Sequence, residues 1–173
     1  RRRRAGGRGG VSEALELRDG DPDRFAGNSV FRAVDHITSE ISPCLQGRPV
    51  AEQRALDELM IELDGTSNLS RLGANAVVAV SMALARGAAH SQSRQLYESL
   101  GAGSGTLLPL PEIQIVGGGL HAGKRIDIQA FMVVAIGAET YRESLAMTFN
   151  VYHQTGRFLQ RRAQLARVAD AGA

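Results

Sequence analysis

The apolar pattern of this sequence predicts an α+β domain followed by a second unit of short strands and one long helix. Three observations carry that prediction. Apolar residues recur at helical spacing early in the chain, at Val30, Val34, Ile37 and Ile41 and again at Leu56, Leu59, Met60 and Leu63. A glycine-rich joint over residues 101–105, stiffened afterwards by Pro109 and Pro111, separates the two parts. Beyond the joint the period changes, with strand-like runs over 112–116 and 126–136 and then a helical row.

Residues 1–10 are arginine and glycine with one alanine, which cannot bury a core, so they are expected to be mobile when nothing is bound. Residues 11–18 alternate apolar and polar, with Val11, Leu15 and Leu17 as the inward set, and read as a strand. Asp19-Gly20-Asp21-Pro22-Asp23 has turn chemistry. The row from Val30 predicts a helix that Pro43 ends, because proline has no amide to continue the ladder. The row from Leu56 predicts a second helix, closed by Asp64-Gly65. Residues 74–89 have few polar side chains on any face and predict a buried central helix, with a short helix at 96–100 after it. In the second part, Leu145, Phe149, Tyr152, Leu159 and Leu165 mark a helix over 139–166 with Gly156 as a break, and Val168 opens a further strand. The domains are therefore read as 1–10, 11–105 and 106–173.

The composition is that of a globular chain, 43% hydrophobic and 22% charged over 173 residues. A net charge of +2 is too small for a broadly basic surface. Lys124 is the single lysine, a bias toward arginine that high genomic GC content explains. Cys44 is the lone cysteine, which excludes an internal disulfide and reads as a small buried apolar side chain. No apolar run reaches the roughly 18 residues of a membrane span. The basic start leads into glycines rather than an apolar segment, so no signal peptide is read and a cytoplasmic protein is expected.

The densest chemistry lies in Gly117-Gly118-Gly119-Leu120-His121-Ala122-Gly123-Lys124 and the following Gln129-Ala130-Phe131-Met132. Glycines let a backbone approach a ligand closely, and a histidine there donates to an anion or shuttles a proton. Gly118-x-x-x-x-Gly123-Lys124 matches most of a phosphate-binding P-loop, but Arg125 stands where a magnesium-binding hydroxyl is needed and no helix follows. The arginine-glycine start lacks the aromatic platforms of a nucleic-acid tail, so nucleic acid is not the expected partner, whereas a loop closing over a small anion remains open. His36, His90 and His153 lie in helical stretches without partners at metal-ligand spacing. Glu13 with Glu16, and Glu58 with Glu62, read as solvated pairs rather than acid–base machinery.

Several strings in order give the chain a likeness. They are Glu13-Ala14-Leu15-Glu16-Leu17-Arg18-Asp19-Gly20, Met60-Ile61-Glu62-Leu63-Asp64-Gly65-Thr66, Leu72-Gly73-Ala74-Asn75-Ala76, Gly118-Gly119-Leu120-His121-Ala122-Gly123, and Gln129-Ala130-Phe131-Met132 with Val151-Tyr152-His153. Together these resemble the enolase family from Gly10 to Ala173. The resemblance implies an α+β N-terminal cap domain followed by the start of a modified α/β (TIM-like) barrel. A full barrel takes about 250 residues, so only its first elements are expected here. The resemblance further implies Mg2+ as cofactor, with its carboxylate ligands and the lysine base on later strands, so no metal ligand is named in this sequence. It implies substrate contacts at His121 and Gln129, a small phosphorylated acid as substrate, and a homodimer. No residue present is named as catalytic. Cut after the first barrel elements, the chain is expected to expose apolar faces and to aggregate or bind hydrophobic dye.

The chain departs from the family at three places. Arg8 stands where enolases carry a magnesium-binding serine, and a guanidinium has no acceptor to offer a metal. Ala130 replaces the glutamate of Gln-Glu-Phe, and Ala171 replaces that of Asp-Glu-Gly-Gly. Those glutamates serve proton delivery to the leaving hydroxide, and losing a general acid typically costs about 10² to 10⁴ in rate. The pattern resembles carboxyphosphonoenolpyruvate synthases of phosphonate antibiotic biosynthesis. Two other readings stay open: an ordinary glycolytic enolase interconverting 2-phosphoglycerate and phosphoenolpyruvate, and a catalytically silent enolase-like binding protein.

Overall fold

A computed structural model describes residues 13–101, 104–124 and 126–164, with only the backbone described at Leu120 and His121. The chain divides into two compact units, residues 1–106 and 107–173.

The first unit is helical among the described residues. Helix α1 (Phe31–His36) runs through a π turn (Ile37–Ile41) into α2 (Ser42–Leu45). α3 (Gln53–Asp64), α4 (Ala74–Ser91) and the short α5 (Leu96–Leu100) follow. Asp19 starts α1 by accepting from the amides of Phe31 at 2.9 Å and Arg32 at 3.0 Å, two donors that the helix itself cannot pair. Pro43 lies inside the helical path rather than ending it, contrary to the sequence expectation. Its ring would meet the Ser39 carbonyl in a continuous α-helix. The wider π turn spans that carbonyl, and the chain continues to Leu45. α3 stops at Gly65, which takes the left-handed conformation and donates to the Ile61 carbonyl.

The core of this unit is Ala33, Ile41, Met60, Leu72, Ala76 and Val77, with Leu17, Ile37, Leu63 and Leu84 packed against it. α4 buries Ala74, Ala76 and Val77 near its start and Ala88 and Ala89 near its end, but Val78 and Met82 in its middle are half exposed. The helix is therefore covered at its two ends rather than along its whole length, as its composition suggests. Cys44 is likewise free and only partly buried.

Residues 13–18 form no strand, which corrects the reading of 11–18; Val11 lies outside the described residues. Their hydrogen bonds go elsewhere. Leu15 donates to the Asn68 carbonyl and accepts from the Ala74 amide, both at 2.8 Å. The Asn75 side chain pairs with both backbone groups of Leu17. The segment is thus tied to the loop before α4 and to its first turn. Leu15 is 52% exposed while Leu17 meets the core. Gly73 permits the crossing, since a Cβ there would lie 2.5 Å from that of Leu17.

In the second unit β1 (Glu112–Gly117) and β2 (Ala130–Val134) form an antiparallel pair, and α6 (Tyr141–Arg161) packs on both strands. The register runs from Glu112 opposite Val134 to Gly117 opposite Ala130, with an irregularity between Gln114 and Val116. β2 is shorter than the expected 126–136, because the Ile126 and Gln129 carbonyls are engaged in closing the preceding loop. The Thr140 hydroxyl caps α6 by accepting from Glu143. Gly156 lies within α6 and does not break it. The helix buries Ser144 and Thr148, whose small side chains allow close approach, while Phe149 of the apolar row is 62% exposed. Leu165 and Val168 fall outside the described residues.

Candidate functional site

The antiparallel pairing places the end of β1 beside the start of β2, and the loop between them carries the residues singled out by sequence. Gly119–Ala122 is a single 3₁₀ turn that contains His121. Gln129 is exposed and immediately precedes β2. Three backbone hydrogen bonds close the loop. The Gly118 amide donates to the Gln129 carbonyl at 2.8 Å, Gly119 to Ile126 at 2.7 Å, and Lys124 to Gly119 at 2.7 Å. Gly119 and Gly123 take positive φ of 63° and 69°, and Lys124 does so at 58° without a glycine's freedom. A Cβ built on Gly119 would sit 3.4 Å from the Gln129 Cα. The turn bearing His121 and the backbone of Gln129 are therefore neighbours, although eight positions separate them in sequence.

Ala130 is the first residue of β2, partly buried and opposite Gly117. Its methyl group can neither donate nor accept a proton. Arg8, the arginine-glycine segment and Ala171 lie outside the described residues.

A polar network in the first unit was missed by sequence reasoning. His36 Nδ1 lies 2.7 Å from Glu40, so this histidine has a carboxylate partner one turn away. Arg71 reaches the same carboxylate at 2.7 Å and also donates to the carbonyls of Leu63 and Asp64. The Asp64 side chain is buried. It accepts from the Leu72 amide at 2.7 Å, the Thr66 amide at 3.0 Å and the Thr66 hydroxyl. Burial pushes the Asp64 carboxyl up, but the Thr66 and Leu72 hydrogen bonds and the Arg71 charge outweigh it and hold it below the usual carboxylate range. Hydrogen bonds from Arg71 and His36 hold Glu40 low as well. The available signals were His-x-x-x-Glu at one helical turn and an Asp-Gly-Thr stop. The network closes the loop between α3 and α4 and is structural in character.

The His153 ring lies tilted against Phe149 with centroids 4.2 Å apart and meets Tyr152 edge-on. Among the described residues no three His, Cys, Asp or Glu side chains gather closely enough to hold a metal ion. They do not supply a magnesium ligand set. No helix among them is long and apolar enough to cross a membrane.

Comparison with known families gives two matches that together span nearly all of the sequence. Residues 4–100 match "Enolase, N-terminal domain" and residues 105–173 match "Enolase, C-terminal TIM barrel domain".

Proposed function

The chain belongs to the enolase family, and on that footing we propose that it acts on a phosphorylated three-carbon acid without the usual elimination of water. Its architecture is an α+β cap followed by the start of the TIM-type barrel, and its enzyme class is that of the enolase superfamily.

The observation that carries this reading is Ala130, a methyl group at the head of β2, directly after Gln129. Enolases hold a glutamate there for proton delivery. His121 and Gln129 remain, and the 3₁₀ turn that contains His121 lies against the Gln129 backbone at Gly119. In this reading they bind and orient the phosphorylated acid, while the hydroxide-protonating group is gone. Hydroxide is a poor leaving group, so the loss falls at the upper end of the factor of about 10² to 10⁴ typical of a general acid. The acceptor then survives long enough for one of its oxygens to attack the phosphonoformyl phosphorus of a nucleotide conjugate, the new P–O bond replacing the one to the nucleotide, which leaves as the nucleoside monophosphate. Arginines of residues 1–10, Arg8 among them, would neutralise the additional phosphate and phosphonate charge through charge-assisted hydrogen bonds. Magnesium is the cofactor that the family implies, and a homodimer is the assembly.

A substrate screen of the full-length enzyme read by phosphorus NMR tests the proposal. A new phosphorus resonance that requires both the phosphorylated acid and the nucleotide conjugate supports it. Consumption of 2-phosphoglycerate alone at an ordinary enolase rate would return the protein to glycolytic dehydration.

A further inference from the structure

We propose that Gly118 is a positioning residue for the site, required for its missing side chain rather than for its backbone freedom. Gly118 is not among the residues of positive φ, so an alanine could adopt its backbone angles. Space is what forbids one. A Cβ at Gly118 would lie 1.9 Å from the Ile128 carbonyl oxygen and 3.1 Å from that of Ile126. Both obstacles are backbone atoms, which no rotamer change can move aside. Gly119 differs, because its φ is +63° but the space around it is ordinary. The adjacent glycines thus answer different demands, one for the turn and one for the crossing.

The crossing sets the geometry of the loop. Gly118 is buried beneath the returning chain and donates to the Gln129 carbonyl, while Gly119 donates to that of Ile126. A methyl group at 118 must lift residues 126–129 away. That motion carries Gln129 off the 3₁₀ turn of His121 and strains the pairing of Gly117 with Ala130. The consequence for ligand binding rests on the proposed roles of His121 and Gln129; the crossing itself does not.

The first measurement needs neither variant nor ligand. In the full-length protein the Gly118 and Gly119 amides should exchange with solvent at least about tenfold more slowly than unprotected peptide amides. Unprotected exchange at both positions overturns the proposal. Next, Gly118→Ala should free the Gly119 amide while exchange within α6 stays unchanged. The affinity for 2-phosphoglycerate should fall by about 10- to 100-fold, the scale of one lost hydrogen bond to a charged ligand. Gly137→Ala, where a Cβ meets nothing within 4 Å, should change neither. Retained protection and affinity in Gly118→Ala would overturn the proposal. If the wild-type protein binds no phosphorylated acid but Gly118→Ala still opens the loop, the ligand assignment fails and the positioning role stands. Should Gly118→Ala fail to fold while Gly137→Ala folds, the contrast supports the exclusion of a side chain at 118, and unprotected wild-type amides at 118 and 119 still overturn the proposal.

Discussion

The Gly118 amide donates to the Gln129 carbonyl at 2.8 Å, joining the start of the glycine-rich run to the polar residue just before β2. In a barrel of parallel strands, site residues gather where strands end. Here β2 runs antiparallel to β1, so its beginning lies at the end of β1. That reversal explains how a residue preceding a strand shares a loop with a histidine following one.

Asp64 holds the loop between α3 and α4, and its removal leaves the fully buried Leu72 amide without a partner. Asp64→Ala should destabilise the protein by about 1–3 kcal/mol, the cost of an unpaired buried polar group. Asp64→Asn should cost less, since it keeps an acceptor oxygen. Urea unfolding followed by far-UV circular dichroism checks both; an unchanged midpoint in Asp64→Ala would show that the loop does not depend on this carboxylate.

The same carboxylate and Glu40 set the response to acid. Both are held below their ordinary pKa in the folded state. The unfolded chain therefore binds their protons first as the pH falls. Their stabilisation is fully present above the unfolded values of about 3.9 for Asp and about 4.3 for Glu, and is lost as pH falls through the lower folded values. Combining Glu40→Gln with Asp64→Asn should flatten this acid limb in a series of urea melts. An unaltered slope in the double variant would remove these two groups as its source.

Glycine substitutions separate strain from open space. Gly73 has φ +95° and no room beside Leu17 and Asn75, so Gly73→Ala should destabilise by about 1–3 kcal/mol. Gly156 sits inside α6 with nothing within 4 Å of an added Cβ, so Gly156→Ala should stabilise by about 0.5–1 kcal/mol. Thermal melts of the two variants should move in opposite directions.

The exposed apolar side chains predict dye binding. Leu107 is 90% and Ile136 85% exposed, and Leu145 and Phe149 of α6 are also accessible. The 173-residue chain should enhance anilinonaphthalene sulfonate fluorescence, and Leu145→Ser with Phe149→Ser should reduce the signal. No enhancement would mean that these faces are covered in solution.

The helices were legible because their apolar rows are periodic and their stops are chemical, as at Asp64-Gly65. The segment at 13–18 was not legible as it stands. Alternation identifies an inward and an outward side but not the partner, and here a loop and a helix start take the hydrogen bonds. The row Leu145, Phe149 and Tyr152 marked a helix correctly, but the buried pair on it is Ser144 and Thr148. Small side chains at helical spacing carry no hydrophobic signal. His121 and Gln129 stood out through glycines and family likeness, whereas the approach of the glycine turn to Gln129 depends on a crossing at Gly118 that only the structure reveals.

The rate at which the full-length enzyme converts 2-phosphoglycerate to phosphoenolpyruvate in the presence of magnesium bears hardest on the proposed chemistry. With methyl groups at Ala130 and Ala171 in place of carboxyls, that rate should lie at least about 10²-fold below that of an ordinary enolase assayed alongside it. Conversion at the ordinary rate would contradict the proposed loss of the dehydrating acid and show that another group delivers the proton.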